Sequence, residues 1–257
     1  MMFTFRQNSN INSIKYTYSV KYTYSVILLN WKRPNNIKKI IPILHDIPYI
    51  TEIIISNGHP KTILSFPNYS KITCINDTNT NKKYGLDLRF LRGGEAKNNK
   101  LIYMDDDILI QPPNMLKMIK NYESNPNRIV GYNGRNIFCN SHYTNLSNRA
   151  QNCDIVLTRL LVCDKQLCDL FFKCKPIVEP VYKNGIPYGN GEDILLSCIA
   201  LIYYKQSNYA LCNTIICLEL ASHHAINKHP YHSSYRKNLS MHIKSHWDEL
   251  KMCIHKE

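Results

Sequence analysis

Three consecutive carboxylates, Asp105, Asp106 and Asp107, follow the apolar run Leu101-Ile102-Tyr103-Met104 and precede Ile108-Leu109. The run reads as a buried strand, and three acids at its tip repel one another unless a cation or a turn relieves them. Side chains alternate along a strand, which places Asp105 and Asp107 on one side and Asp106 on the other. Two hard oxygen ligands on one side suit Mn²⁺ or Mg²⁺ holding a diphosphate. A solvated turn, with Asp106 or Asp107 capping the next segment, accounts for the triplet equally well. A second acidic pair, Glu192-Asp193, follows the turn-rich stretch Lys183 to Gly191 and opens the apolar stretch Ile194 to Tyr204. Beside a metal–diphosphate site such a pair can orient an acceptor hydroxyl or stabilise positive charge at a sugar carbon as its leaving group departs. Acids are also ordinary in the first turn of a helix, where the helix end favours negative charge.

The elements that would position these acids alternate. The apolar run Val26-Ile27-Leu28-Leu29 reads as a strand and ends in Asn30-Trp31-Lys32-Arg33-Pro34. Ile37, Ile40, Ile41 and Leu44 then recur at helical spacing. Ile53-Ile54-Ile55 ends in Ser56-Asn57-Gly58, and a short strand from Ile72 to Ile75 ends in a polar loop. A helix and the strand before the triplet complete a β–α alternation, which specifies a mainly parallel sheet with ligands at the carboxyl ends of its strands. Farther on, Arg128 to Gly131 and Asp154 to Cys163 read as strands. Asp164 to Phe172 reads as a short helix capped by Asp164. The loop from Lys183 to Gly191 reads as mobile.

Composition narrows the class. At 257 residues, 44% of them hydrophobic and 18 of them tyrosine, the chain has ample material for one packed α/β domain. The formal charge of +13 points to an anionic ligand such as a nucleotide, a phosphorylated glycan or a nucleic acid, or serves solubility alone. The basic residues are scattered and rarely interleave with aromatics, which argues against a single-strand nucleic-acid stripe. The ten cysteines show no paired CxxC spacing and no secretory signal precedes them. Reduced thiols and a cytoplasmic setting are therefore expected. The longest apolar stretches fall short of the ~20 residues of a membrane span. Residues 1–25 read as an N-terminal extension in which Lys15 to Val20 is repeated as Lys21 to Val26, and 26–257 as a single domain.

The order of Asp105-Asp106-Asp107, Ile129 to Arg135, Ile155-Val156-Leu157-Thr158 and Asn190-Gly191-Glu192-Asp193-Ile194 resembles the exostosin-type glycosyltransferase domain. The resemblance covers about residues 26 to 245 and implies a GT-A fold: a mainly parallel, Rossmann-like sheet flanked by helices, with a smaller acceptor-side subregion. It further implies a UDP-sugar donor, a glycan or glycosylated acceptor, retention of anomeric configuration, and Mn²⁺ or Mg²⁺ bridging the diphosphate to the triplet. Asp107 matches the direct metal ligand, with Asp105 its helper, while Asp105 and Asp106 match acids near ribose and metal. Arg33, Asn57 and Arg89 resemble nucleotide-site positions. Asp193, beside Glu192, matches the catalytic-region carboxylate, and Arg236 resembles an arginine that reaches the diphosphate. His223 or His224 could supply a last metal ligand. The family usually follows its Leu-Thr with small residues, whereas this chain has Arg159-Leu160.

Two other functions stand beside this one. A sugar-phosphate nucleotidyltransferase also sets acids on a metal, but it needs a glycine-rich phosphate loop near the first strand, and Asn30 to Pro34 contains no glycine. A basic protein that binds nucleic acid or anionic glycan would bind in a salt-sensitive manner and without metal.

Overall fold

The computed structural model describes residues 2–5, 16–138, 143–146, 148–220 and 230–256. It opens on an antiparallel pair, β1 (Met2–Phe5) and β2 (Tyr16–Ser19). The first copy of the repeated hexapeptide contributes β2, and the second leads into β3 (Tyr24–Asn30). Helix α1 (Pro34–His45) starts on Pro34 and buries Ile37, Ile40, Ile41 and Leu44, the apolar stripe that fixes it against the sheet. Then come β4 (Ile50–Asn57) and β5 (Ile72–Asn76). Asp77 caps α2 (Thr78–Tyr84) by accepting the Thr80 N–H at 2.9 Å. Helix α3 (Leu88–Glu95) returns the chain to β6 (Lys100–Asp105).

A short β7 (Ile108–Ile110), α4 (Pro112–Ser124) and β8 (Val130–Gly131) follow. Next are β9 (Gly134–Asn136), β10 (Thr144–Asn145), β11 (Gln151–Cys153), β12 (Ile155–Val156) and β13 (Leu160–Asp164). Two long helices, α5 (Gln166–Tyr182) and α6 (Glu192–Tyr204), precede β14 (Asn208–Ala210) and β15 (Cys217–Glu219). Helices α7 (His232–Ser245) and α8 (Trp247–His255) complete the order. Among the described residues no helix is long and apolar enough to cross a membrane.

The central sheet has eight strands in the order β11-β14-β8-β13-β6-β3-β4-β5. Strands β6, β3, β4 and β5 run parallel, as do β8 and β14, while β13 is antiparallel to both its neighbours and β11 to β14. The chain builds outward from β3 to β5 and then places β6 on the other side of β3. That reversal makes a switch point, and its crevice lies outside the carboxyl ends of β3 and β6.

Both faces of the sheet are covered, which explains the near-continuous apolar strands. Ile27, Leu101, Tyr103 and Leu161 belong to the core on the side of α3, α5 and α6. Their neighbours Val26, Leu28, Ile102, Met104, Leu160 and Val162 face the core that holds α1 and α4. Each buried Leu or Ile contributes about 1.5–3 kcal/mol.

Two elements depart from the sequence expectations. The stretch from Asp154 to Cys163 is two strands, not one. The Asp154 carboxylate accepts the N–H groups of Ile137 at 2.7 Å and Phe138 at 2.8 Å, holding β12 to β9, while β13 joins the main sheet. The helix after Asp164 runs on to Tyr182, because Leu167, Phe171, Cys174, Val178 and Tyr182 continue one buried stripe. Asp164 does not cap it. Its carboxylate accepts the hydroxyls of Tyr122 at 2.7 Å and Tyr204 at 2.6 Å and pairs with Lys100.

Candidate active site

A cleft of about 1030 Å³ opens at the carboxyl ends of β3 and β6. Arg33, Arg89, Asp105, Asp106, Asp107, Glu192, Asp193 and Arg236 all line it. The loop after β3 brings Arg33, α3 brings Arg89, the start of α6 brings both later acids, and α7 brings Arg236.

Strand β6 ends at Asp105 and β7 begins at Ile108, so Asp106 and Asp107 form the turn between them. Strand alternation therefore does not sort the three acids, contrary to the sequence expectation. Two arginines do. Arg89 donates from Nη1 and Nη2 to Asp105 Oδ1, each at 3.2 Å. Arg33 pairs with Asp106 and also lies 3.3 Å from Asp107. Burial pushes the Asp106 carboxyl up to about 6 despite Arg33. Burial, and then the charge on Asp105, raises Asp107 as well.

Asp107 Oδ1 is buried and has no hydrogen-bond partner, a costly state for a carboxylate oxygen. Among the described residues no three His, Cys, Asp or Glu side chains close around a metal position. A hard cation of the Mg²⁺ type does not need such a cage. It takes one or two carboxylates and completes its shell with substrate phosphates and water. The unpartnered Asp107 oxygen, beside an Asp105 side chain that is 34% exposed, fits that open kind of site.

The second acidic pair is set by backbone and helix together. Gly191 precedes α6 with φ of +104°, a conformation L side chains rarely adopt, and a Cβ there would run into Leu239 of α7. Helices α6 and α7 thus approach closely where Asp193 meets Arg236. Arg236 Nη2 lies 2.7 Å and 2.6 Å from the two Asp193 oxygens, and the same guanidinium donates to Asn190 Oδ1 at 3.2 Å and to the Tyr143 hydroxyl at 3.0 Å. Glu192 accepts the Thr158 hydroxyl at 2.6 Å and lies 3.7 Å from Arg89 Nε. Burial pushes the Glu192 carboxyl up to about 7, against the pull of Arg89. A carboxyl so placed can exchange a proton near neutral pH.

Residues 22–256 match the glycosyl transferase family 64 domain. The chain belongs to that family. Its fold is the GT-A glycosyltransferase fold, similar to a crystal structure of GalNAc-T7 with UDP, GalNAc and Mn²⁺ at a TM-score of 0.58 and 11% identity. The similarity covers 89% of this chain and 50% of that one, so the chain spans about half the length of that structure. No curated protein matches the sequence.

Among the described residues expected at the site, Asn57 stands apart from the cleft wall. Asn57 is 1% exposed, and its amide is fully engaged inside the protein. Its Oδ1 accepts from Asn30 Nδ2 at 2.7 Å and from the His59 N–H at 3.2 Å, while its Nδ2 donates to Thr62 O at 2.6 Å and Asn76 Oδ1 at 2.7 Å. It ties the ends of three strands together behind the site. His223 and His224 lie outside the described residues.

Sequence reasoning gave no role to three neighbours of the acids. The Thr158 carbonyl accepts Arg89 Nη1 at 3.1 Å while its hydroxyl reaches Glu192, linking the two acidic clusters. Asn190 and Tyr143 support Arg236. The turn-rich loop is also anchored: Gly189 O accepts the Tyr182 hydroxyl at 3.1 Å, and Tyr188 O accepts the Leu86 N–H at 3.0 Å. Apart from Tyr182 and Gly189, these partners are remote in sequence, so no residue type or spacing marks the contacts.

Proposed function

We propose that this chain is an exostosin-type enzyme that transfers a sugar from a UDP-sugar to a glycan or glycosylated acceptor. Transfer depends on Mn²⁺ or Mg²⁺ and retains the anomeric configuration. The observation that carries the reading is the unpartnered oxygen of Asp107 in a cleft that also holds the Asp193–Arg236 pair. The GalNAc-T7 structure of the same fold contains UDP and Mn²⁺, which supports the donor and the metal.

Asp107, helped by Asp105, would hold the cation. When bound, the cation neutralises diphosphate charge and so stabilises the departing nucleotide. Arg33 and Arg89 brace the triplet and present remaining N–H groups to the nucleotide, with Asp105 and Asp106 toward the ribose. Asn57 acts one layer back by fixing Asn30. Asp193 faces the anomeric carbon or the acceptor hydroxyl, and Arg236 holds its carboxylate in one orientation. Glu192 orients the acceptor hydroxyl, its own position set by Thr158. Retention rests on the family resemblance.

A panel of UDP-sugars assayed with Mn²⁺ tests this reading. One donor should support transfer or slow hydrolysis, and Asp193→Asn should lower that rate by about 10²–10⁴-fold with UDP affinity kept. Equal loss of UDP affinity and transfer would make Asp193 structural.

A further inference from the structure

Four arginines of the cleft are ion-paired, and their partners differ. Arg33, Arg89 and Arg236 each hold a buried acid, Asp106, Glu192 and Asp193, whose side chains are only 6%, 4% and 6% exposed, and Arg89 also holds Asp105, which is 34% exposed. Withdrawing any of these arginines strands a buried charge. Arg159 pairs with Glu219 at 2.9 Å, and Glu219 is 68% exposed. That carboxylate returns to water at little cost when its partner leaves. Arg159 is therefore the paired cleft arginine best able to exchange its partner for an oxyanion of the substrate.

Its place in the cleft suits that exchange. The Arg159 carbonyl accepts the Asp105 N–H at 2.9 Å, which sets the residue opposite the first acid of the triplet. Thr158, immediately before it, contacts Arg89 and Glu192. Arg159 thus stands between the two acidic clusters. The Leu220 N–H donates to the Asp107 carbonyl at 2.7 Å, so the strand bearing Glu219 is tied to the same turn. Burial works against the Arg159 charge, but Glu219 and then Asp107 and Asp105 outweigh it and raise its pKa. A guanidinium is a planar fork that matches phosphate oxygens.

We propose that Arg159 is a further catalytic residue, one that leaves Glu219 to bind the β-phosphate of the donor. The proposal rests on the glycosyltransferase reading above. In the transfer, the bond between the anomeric carbon and the β-phosphate oxygen breaks and its electron pair stays on UDP. The acceptor oxygen bonds to that carbon, and the acceptor proton is released. Charge grows on the β-phosphate oxygen, and a bound guanidinium stabilises it there.

Calorimetry with UDP and UMP in the presence of Mn²⁺, on the full chain, tests the assignment. Arg159→Ala should weaken UDP binding about tenfold or more, the loss of a charged hydrogen-bonded contact. UMP, which lacks the β-phosphate, should lose less than about twofold. Arg159→Lys should recover part of the UDP affinity, and Glu219→Gln, which frees the arginine, should tighten UDP. Wild-type UDP affinity in Arg159→Ala, or equal weakening of UDP and UMP, would overturn the assignment. If Arg159→Ala does not fold, unchanged or weaker UDP binding in Glu219→Gln overturns it. Failure of the wild-type chain to bind UDP with Mn²⁺ is a different outcome, and it removes the glycosyltransferase reading along with this one.

Discussion

Arg236 holds Asp193 from a single nitrogen, with Nη2 2.7 Å from Oδ1 and 2.6 Å from Oδ2. Both side chains are 6% exposed. Arg236→Ala leaves a buried carboxylate without its cation and should destabilise the fold by about 3–5 kcal/mol. Adding Asp193→Asn to Arg236→Ala should recover part of that loss, since the stranded charge is then gone. Urea denaturation of the two single variants and the double variant measures it. Strictly additive losses would mean the pair is not coupled.

Glu192 gives the cleft a pH dependence. Its carboxyl rises from an ordinary 4.5 to about 7 because it is buried, so the folded chain holds a proton that the unfolded chain releases. The stability this group contributes is complete below about 4.5 and is lost as pH rises through about 7. Glu192→Gln should therefore show a smaller fall in thermal midpoint between pH 5 and pH 8 than the wild type. Identical pH dependence in the two proteins would show that Glu192 does not titrate as described.

Two glycines separate backbone necessity from chance. Gly191→Ala forces a side chain into a positive φ and against Leu239, and should cost about 1–3 kcal/mol. Gly94, within α3, has open space where a Cβ would go, so Gly94→Ala should be neutral or stabilise by up to about 1 kcal/mol. Chemical denaturation of both variants checks the contrast. Because Gly191 leads into the helix bearing Glu192 and Asp193, its variant should also lose transfer.

Much of this arrangement was legible in the residues. The apolar runs of β3, β4 and β6 and the stripe of α1 carry their own periodicity, and polar residues at the strand tips mark the sheet's working edge. What escaped depended on partners far along the chain. Alternation misplaces Asp106 and Asp107 because the strand stops at Asp105, and Arg33 takes the two acids beyond it. Thr158 meets Glu192 across 34 residues, and no local pattern announces it. Asn57, at the end of a strand, resembles a nucleotide-site position, yet its amide is fully engaged by Asn30, His59, Thr62 and Asn76.

In the proposed function the triplet holds a cation that in turn holds a diphosphate, with Asp107 as the main ligand. Titration calorimetry of UDP into the chain, with and without Mn²⁺, addresses it directly. Binding should require Mn²⁺ in the wild type and disappear in Asp107→Ala while that variant keeps its thermal midpoint within a few degrees. UDP binding that is indifferent to Mn²⁺, or that survives intact in Asp107→Ala, would mean that the triplet does not hold the nucleotide through a cation.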